Sequence, residues 1–284
     1  MKLATLRTAD GTRAARVDEA GGRAVLLDAP DVGTLLERAD WAKVSADSDE
    51  RESVPLDEAD YAPVVPRPGK IFCIGLNYRT HILEMGRDLP EYPTVFSKVA
   101  DTLVGAHDDI VRPPETEAFD WECELAVVVG RTVRRADEDE AAEAIAGFAV
   151  LNDVTCRDWQ FRTREWLQGK NWDSTTPLGP WLVTPDEVGG VRPALELRTT
   201  LDGEVMQQDS TGDLLFDPVH LVSYLSTMIT LRPGDVIATG TPGGVGHARK
   251  PPVYLQAGQH IVTEIQGLGA CSNDVVADPA GSQA

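Results

Sequence analysis

The sequence is short of positive charge, of cysteine and of long apolar runs, and each shortage removes a class of function. Lys and Arg number 26 against 46 Asp and Glu, a formal charge of −20. Such a surface repels nucleic acid and anionic membranes, so neither is an expected partner. The excess acid is partly local, in ADSDERESVPLDEADY (46–61) and ADEDEAAE (136–143), which read as solvated faces. The four cysteines, Cys73, Cys123, Cys156 and Cys271, are scattered with no C-x-x-C pair, which argues against a disulfide framework or a zinc ribbon. No stretch approaches the roughly 18 apolar residues of a membrane span. The opening MKLATLRTADGTRAARVDEAGG lacks the continuous apolar core of a signal peptide, so a cytoplasmic protein is expected. Internal repeats and low-complexity segments are absent as well.

What is there is a globular composition over 284 residues, 42% hydrophobic and 25% charged. Residues 1–66 read as a small N-terminal unit with its linker. MKLATLR alternates like a strand, DVGTLLERADWAKV offers Asp31 as N-cap of a helix, and the prolines of APVVPRPGK (62–70) mark the linker. Strand signals then crowd residues 67–275: IFCIGL (71–76), CELAVVVG (123–130), FAVLNDVT (148–155), LELRTTLDG (195–203) and DVIATGT (235–241). Two helices stand out. EDEAAEAIAG (138–147) is alanine-rich with Gly147 closing it, and DPVHLVSYLSTMI (217–229) has Asp217 as N-cap and Pro218 at the first helical position. The pattern predicts a β-rich α+β domain built on a folded or rolled sheet, with a disordered tail at 276–284.

The chemistry concentrates in DWECELAVVVG. On a strand, period-2 geometry puts Asp120, Glu122 and Glu124 on one face. Acids lined up at the entrance to an apolar run repel one another, and a hard divalent ion such as Mg²⁺, Mn²⁺ or Ca²⁺ removes the conflict. Asp153, in the apolar context FAVLNDVT, is a candidate third ligand from a neighbouring strand. The alternative is an exposed edge strand with solvated acids. His81 and Glu84 are three residues apart, so one helical turn lets the carboxylate orient an imidazole that takes a proton from water; a surface pair is the other reading. Gly86 just beyond suggests a mobile lid. Lys170 stands between glycine and aromatic residues rather than in a charged run. TGTPGGVG (239–246) reads as a tight turn offering N–H groups, Gly240 among them, and the Thr241 hydroxyl to a carboxylate. Trp159, Trp166 and Trp172 read as packing residues rather than a substrate cage.

Taken in order, D-W-E-C-E-L, L-N-D-V-T-x-R-D-x-Q from Leu151, G-K at 169–170 and T-G-T-P-G-G-V-G from Thr239 resemble the fumarylacetoacetate hydrolase family, over about residues 66–270. N-Y-x-x-H-x-x-E from Asn77 is similar to its acylpyruvate hydrolases. The resemblance implies a mixed β-roll, a homodimer, and one Mg²⁺ or Mn²⁺ held by Glu122, Glu124 and Asp153. It implies that Lys170 stabilises oxyanion charge, that Gln160 places the water, and that Arg157 supports the site or the substrate. Asp120 is read as orienting the ligands from behind. The expected reaction is hydrolysis of a small 2,4-dioxo acid such as fumarylpyruvate or maleylpyruvate to pyruvate and a carboxylic acid. There His81, oriented by Glu84, deprotonates the water that attacks the distal carbonyl. Decarboxylation of oxaloacetate, isomerisation of a 2-hydroxyhepta-2,4-diene-1,7-dioate type acid, and non-catalytic binding of a 2-oxo acid are the rival readings.

Overall fold

The computed structural model describes residues 1–47, 52–84 and 86–279, with the side chain of Glu84 outside that description. Its centre is the strand Cys123–Val129, every residue of which is buried. A strand so uniformly buried needs partners on both edges. It has them: Ile145–Asn152 pairs antiparallel on one side and Val236–Ala238 on the other. The sheet continues through Ile71–Gly75, parallel to Val236–Ala238, to an edge at Thr94–Lys98. In the other direction it runs through Thr176–Val183 to Lys2–Thr8, Gly11–Asp18, Arg23–Leu26 and Ser53–Pro55. With Leu103–Val104 beside Thr176–Val183 it has 11 strands.

A second, five-stranded sheet is ordered Glu204–Ser210, Glu196–Leu201, His260–Ile265, Gly269–Ala277 and Ile110–Arg112. It packs through Leu197, Ile265, Leu268 and Cys271 onto the core that holds Leu125, Val127 and Phe148. The result is a mixed-sheet α+β fold with few helices, as the strand signals predict.

Several local expectations change in the structure. The N-terminal residues join the main sheet directly, Lys2 facing Val183 and Leu3 facing Leu182. In the proline-rich 62–70, Ala62, Val64 and Val65 are buried, and Val64 N–H donates to Leu178 O at 3.0 Å. The helical stretch after Asp31 divides into Val32–Leu36 and Trp41–Ala46. Gly147 does not end a helix: Glu138–Ala144, held at its start by an Asp137/Glu140 capping box, gives way at Ile145 to a strand. Gly147 lies inside that strand, where a Cβ would collide with the Val183 carbonyl on the next one. Strand Gly269–Ala277 carries ordered pairing into the expected tail, whose residues 280–284 lie outside the described residues. Among the described residues no helix is long and apolar enough to cross a membrane.

Candidate functional site

The antiparallel register builds the carboxylate cluster. Cys123 faces Asn152, and one step beyond the ladder Asp153 N–H donates to Glu122 O at 2.9 Å while Asn152 Oδ1 accepts from Glu122 N–H at 2.9 Å. Glu122 and Asp153 therefore come abreast, and Glu124 follows on the same face by strand alternation. Ligand atoms of Glu122, Glu124 and Asp153 all lie within 4.8 Å of one another, and all three residues are buried. The exposed-edge alternative is excluded, because the strand is central.

Asp120 departs from the simple alternation. It belongs to a separate short ladder, Phe119–Asp120 against Thr155–Cys156. Its Oδ1 accepts from Gly246 N–H at 2.7 Å, and its Oδ2 from His247 N–H at 3.0 Å and Arg157 Nε at 2.8 Å. The glycine-rich loop thus does give N–H groups to carboxylates, but to the chain's own: Gly240 N–H donates to Glu124 Oε2 at 2.7 Å. Thr241 lines the cavity below, while its hydroxyl donates to Cys123 O at 3.0 Å and accepts from Gln207 Nε2 at 2.8 Å.

Cations close around the acids. Lys170 Nζ lies 2.6 Å from both Glu122 Oε2 and Asp153 Oδ2. Arg157 Nη1 lies 2.6 Å from Glu122 Oε1 and donates to Gln160 Oε1 at 3.0 Å. Lys98, fully buried at the end of strand Thr94–Lys98, donates to Asp153 Oδ1 at 2.8 Å. Burial pushes the Asp153 carboxyl up, but Lys170 and Lys98 outweigh it and hold it down at about 2. Burial also opposes the charge on Lys170, and Asp153 and Glu122 outweigh it, so its ammonium is held above the usual lysine range. Glu124 differs. Among the described residues no ammonium or guanidinium pairs with it, and burial, with Asp153 and Glu122 adding to it, drives its carboxyl well above the ordinary range. Three oxygen donors with one acid lacking a cation fit a hard divalent ion, which prefers carboxylates and would relieve the repulsion at Glu124.

Two of the cluster's three carboxylates, Glu122 and Glu124, line a cavity of about 310 Å³, with Asp153 buried beside them. Lys170, Arg157 and Gln160 line it too, and half-buried His81 stands on its wall. Helix Arg79–Glu84 carries His81; the expected His81–Glu84 pairing involves a side chain outside the described residues. Lys98, Arg87, Phe96, Phe161 and His247 escaped the sequence reading, and only Lys98 left a signal. In TVFSK, alternation sets Lys98 on the face of Phe96, a lysine where an apolar residue is expected. Trp166 also lines the cavity, edge-on to Phe96 at 5.4 Å between ring centres, rather than serving only as packing. Trp159 and Trp172 do pack together, 4.9 Å apart. A larger hollow of about 760 Å³, bordered by Asp31, Lys70 and Asp235, shares none of these residues.

The profile for the fumarylacetoacetate (FAA) hydrolase C-terminal domain matches residues 70–276, the stretch that carries the whole site. The mitochondrial oxaloacetate tautomerase FAHD2A of Bos taurus is 43% identical over 225 residues, 78% of this chain and 71% of its own length. Among solved structures, a fumarylacetoacetate hydrolase from psychrophilic Exiguobacterium antarcticum superposes with a TM-score of 0.87 at 32% identity, over 98% of this chain and 100% of that one. A 5-carboxymethyl-2-hydroxymuconate delta-isomerase from Mycobacterium smegmatis gives a TM-score of 0.82 at 30% identity, with 98% and 100% covered. These relatives are a tautomerase, a hydrolase and an isomerase, and on sequence and fold alike the chain belongs to the fumarylacetoacetate hydrolase family.

Proposed function

We propose that the chain interconverts the keto and enol forms of a small 2-oxo dicarboxylic acid of the oxaloacetate type, with Mg²⁺ or Mn²⁺ held by Glu122, Glu124 and Asp153. The observation that carries this reading is the buried carboxylate triad, whose Glu122 and Glu124 line, with Lys170, a cavity that has His81 on its wall. A divalent ion bound there supplies Lewis-acid polarisation of the 2-oxo group. The ammonium of Lys170 stabilises negative charge developing on the substrate oxygen. His81 takes the proton from the carbon beside the ketone and returns it to the enol oxygen, or the reverse, so no atom is gained or lost. Arg157 holds Glu122 in place, fixed in turn by Asp120, and Gln160 stands beside it at the cavity wall. Gly240 braces Glu124, and Thr241 borders the cavity that would receive the substrate. Identity of 43% to a tautomerase supports this choice of reaction. A homodimer in the cytoplasm belongs to the same proposal.

Hydrolysis of an acylpyruvate is the second reading, favoured by His81 reaching the cavity, where it can deprotonate a water. One preparation decides between them. With Mg²⁺, loss of enol-oxaloacetate absorbance is followed alongside pyruvate release from fumarylpyruvate, maleylpyruvate and acetylpyruvate, each with an EDTA control. Accelerated enol loss without pyruvate release supports the tautomerase; pyruvate release supports hydrolysis. If neither rate exceeds the metal-only background, both readings fail.

A further inference from the structure

Among the described residues three strong cations line the cavity: Arg87, Arg157 and Lys170. Two are engaged by the chain's own acids, Lys170 by Glu122 and Asp153, and Arg157 by Asp120 and Glu122. Among the described residues the Arg87 guanidinium makes no hydrogen bond or ion pair. In a chain with net charge −20 acid is plentiful, so the availability of this exposed arginine on the cavity wall is a property of where the fold delivers it.

The delivery is well defined. Helix Arg79–Glu84 is anchored by fully buried Tyr78 and Ile82, and Thr80 N–H donates to Asp213 Oδ2 at 2.8 Å. The helix closes through Gly86, whose φ of 68° is open to glycine and strained for other residues. Gly86 N–H donates to Leu83 O at 2.9 Å and Arg87 N–H to Ile82 O at 3.2 Å, the paired bonds of a Schellman closure. Arg87 is therefore tied by its backbone to a docked helix end, immediately after the turn that carries His81.

The rest of the lining away from the acidic floor is largely apolar, with Ile74, Leu76, Phe96, Phe161, Trp166 and Val245. A second carboxylate entering there has no partner on those side chains, and an unpaired charge against apolar surface is unfavourable. A guanidinium is planar and offers paired donors that match a carboxylate. We propose that Arg87 is a specificity-determining residue: it receives the far carboxylate of the substrate and so selects 2-oxo dicarboxylic acids over 2-oxo monocarboxylic acids. This rests on the reading above that the 2-oxo end is held at the triad.

The test uses the full chain loaded with Mg²⁺, as wild type, Arg87→Met and Arg87→Lys. Dissociation constants for oxaloacetate and 2-oxobutanoate, which share a chain length and differ in the terminal carboxylate, are measured by calorimetry; KM and kcat for enol-oxaloacetate are measured beside them. The wild type should prefer oxaloacetate. In Arg87→Met that preference should fall by roughly 10- to 100-fold, the worth of a charge-assisted pair at a partly open site. The loss should appear in KM more than in kcat, and Arg87→Lys should recover part of it. An unchanged preference in Arg87→Met, an equal loss on both acids, or a wild type that binds the two alike or binds neither overturns the inference. If the wild type binds with the expected preference but turns over nothing, the catalytic reading fails while the ratio of dissociation constants still judges Arg87.

Discussion

Asp153 and Glu124 sit within one cluster but are balanced by different means, and their variants should differ accordingly. Lys98 and Lys170 grip opposite oxygens of Asp153. Lys98→Met keeps the aliphatic volume and leaves a buried carboxylate short of one cation, which costs about 3–5 kcal/mol when a buried pair is broken from one side. Urea denaturation of the metal-free protein reads this directly; a loss under ~1 kcal/mol would show that Lys170 alone suffices. Glu124→Gln has the opposite character. The amide oxygen still accepts from Gly240 N–H, and the repulsion from Asp153 and Glu122 disappears. Metal-free melting temperature should hold or rise, while divalent affinity falls at least about tenfold, the order of effect expected when a ligand charge is removed. Unchanged metal binding would remove Glu124 from the ligand set. At His81, replacement by Ala should cost roughly 10²–10⁴-fold in the reaction that needs a positioned base. Metal-driven oxaloacetate decarboxylation in the same variant should survive much better, so equal losses in both would reduce this segment to a lid.

At the scale of elements, the loop after Val236–Ala238 is where backbone geometry does what side chains cannot. Gly240, at φ 99°, has room for no Cβ, which would lie 2.8 Å from the Ile74 carbonyl. At Gly246 a Cβ would collide with the Val253 carbonyl and press on Asp120. Gly246→Ala should therefore cost about 1–3 kcal/mol of stability, as overpacking does. It should also lower turnover, because a displaced Asp120 frees Arg157 from its hold on Glu122. Denaturation and kinetics on the same sample test the pair; normal turnover would separate the loop from the site. The strand and helix signals at this scale were legible wherever the pattern was local. Asp217 and Pro218 start helix Pro218–Met228, and the apolar run of Cys123–Val129 is the central strand. Gly147 is not legible in this way, because a glycine that ends a helix and one that admits a neighbouring strand look alike in sequence.

For the whole molecule, the surface excess of acid and the buried excess at the triad pose separate problems. The surface charge is solvated; the triad calls for a cation. Adding Mg²⁺ or Mn²⁺ to a metal-stripped sample should raise the melting temperature, since a ligand bound only by the native state at about 100 times its Kd stabilises by about 2.7 kcal/mol. EDTA should reverse the shift and abolish turnover. A melting temperature indifferent to both ions, with activity intact after stripping, would exclude a resident metal.

The sequence by itself determined the alternation that sets Glu122 and Glu124 on one face, the apolar runs that must be central strands, and the family motifs in their order, because each depends on neighbours a few residues apart. Only the tertiary structure decided which charges meet. Lys98 reaches Asp153 across 55 positions, and Asp120 reaches the loop at Gly246 across 126. It likewise decided that the loop's N–H groups serve Glu124 and Asp120, that Trp166 faces the cavity, and that Arg87 has no acid partner among the described residues. Spacing cannot encode such meetings. They follow from the packing of segments distant in the chain and, for the strand residues Glu124 and Lys98, from sheet register, where a shift of one residue would turn the side chain to the other face.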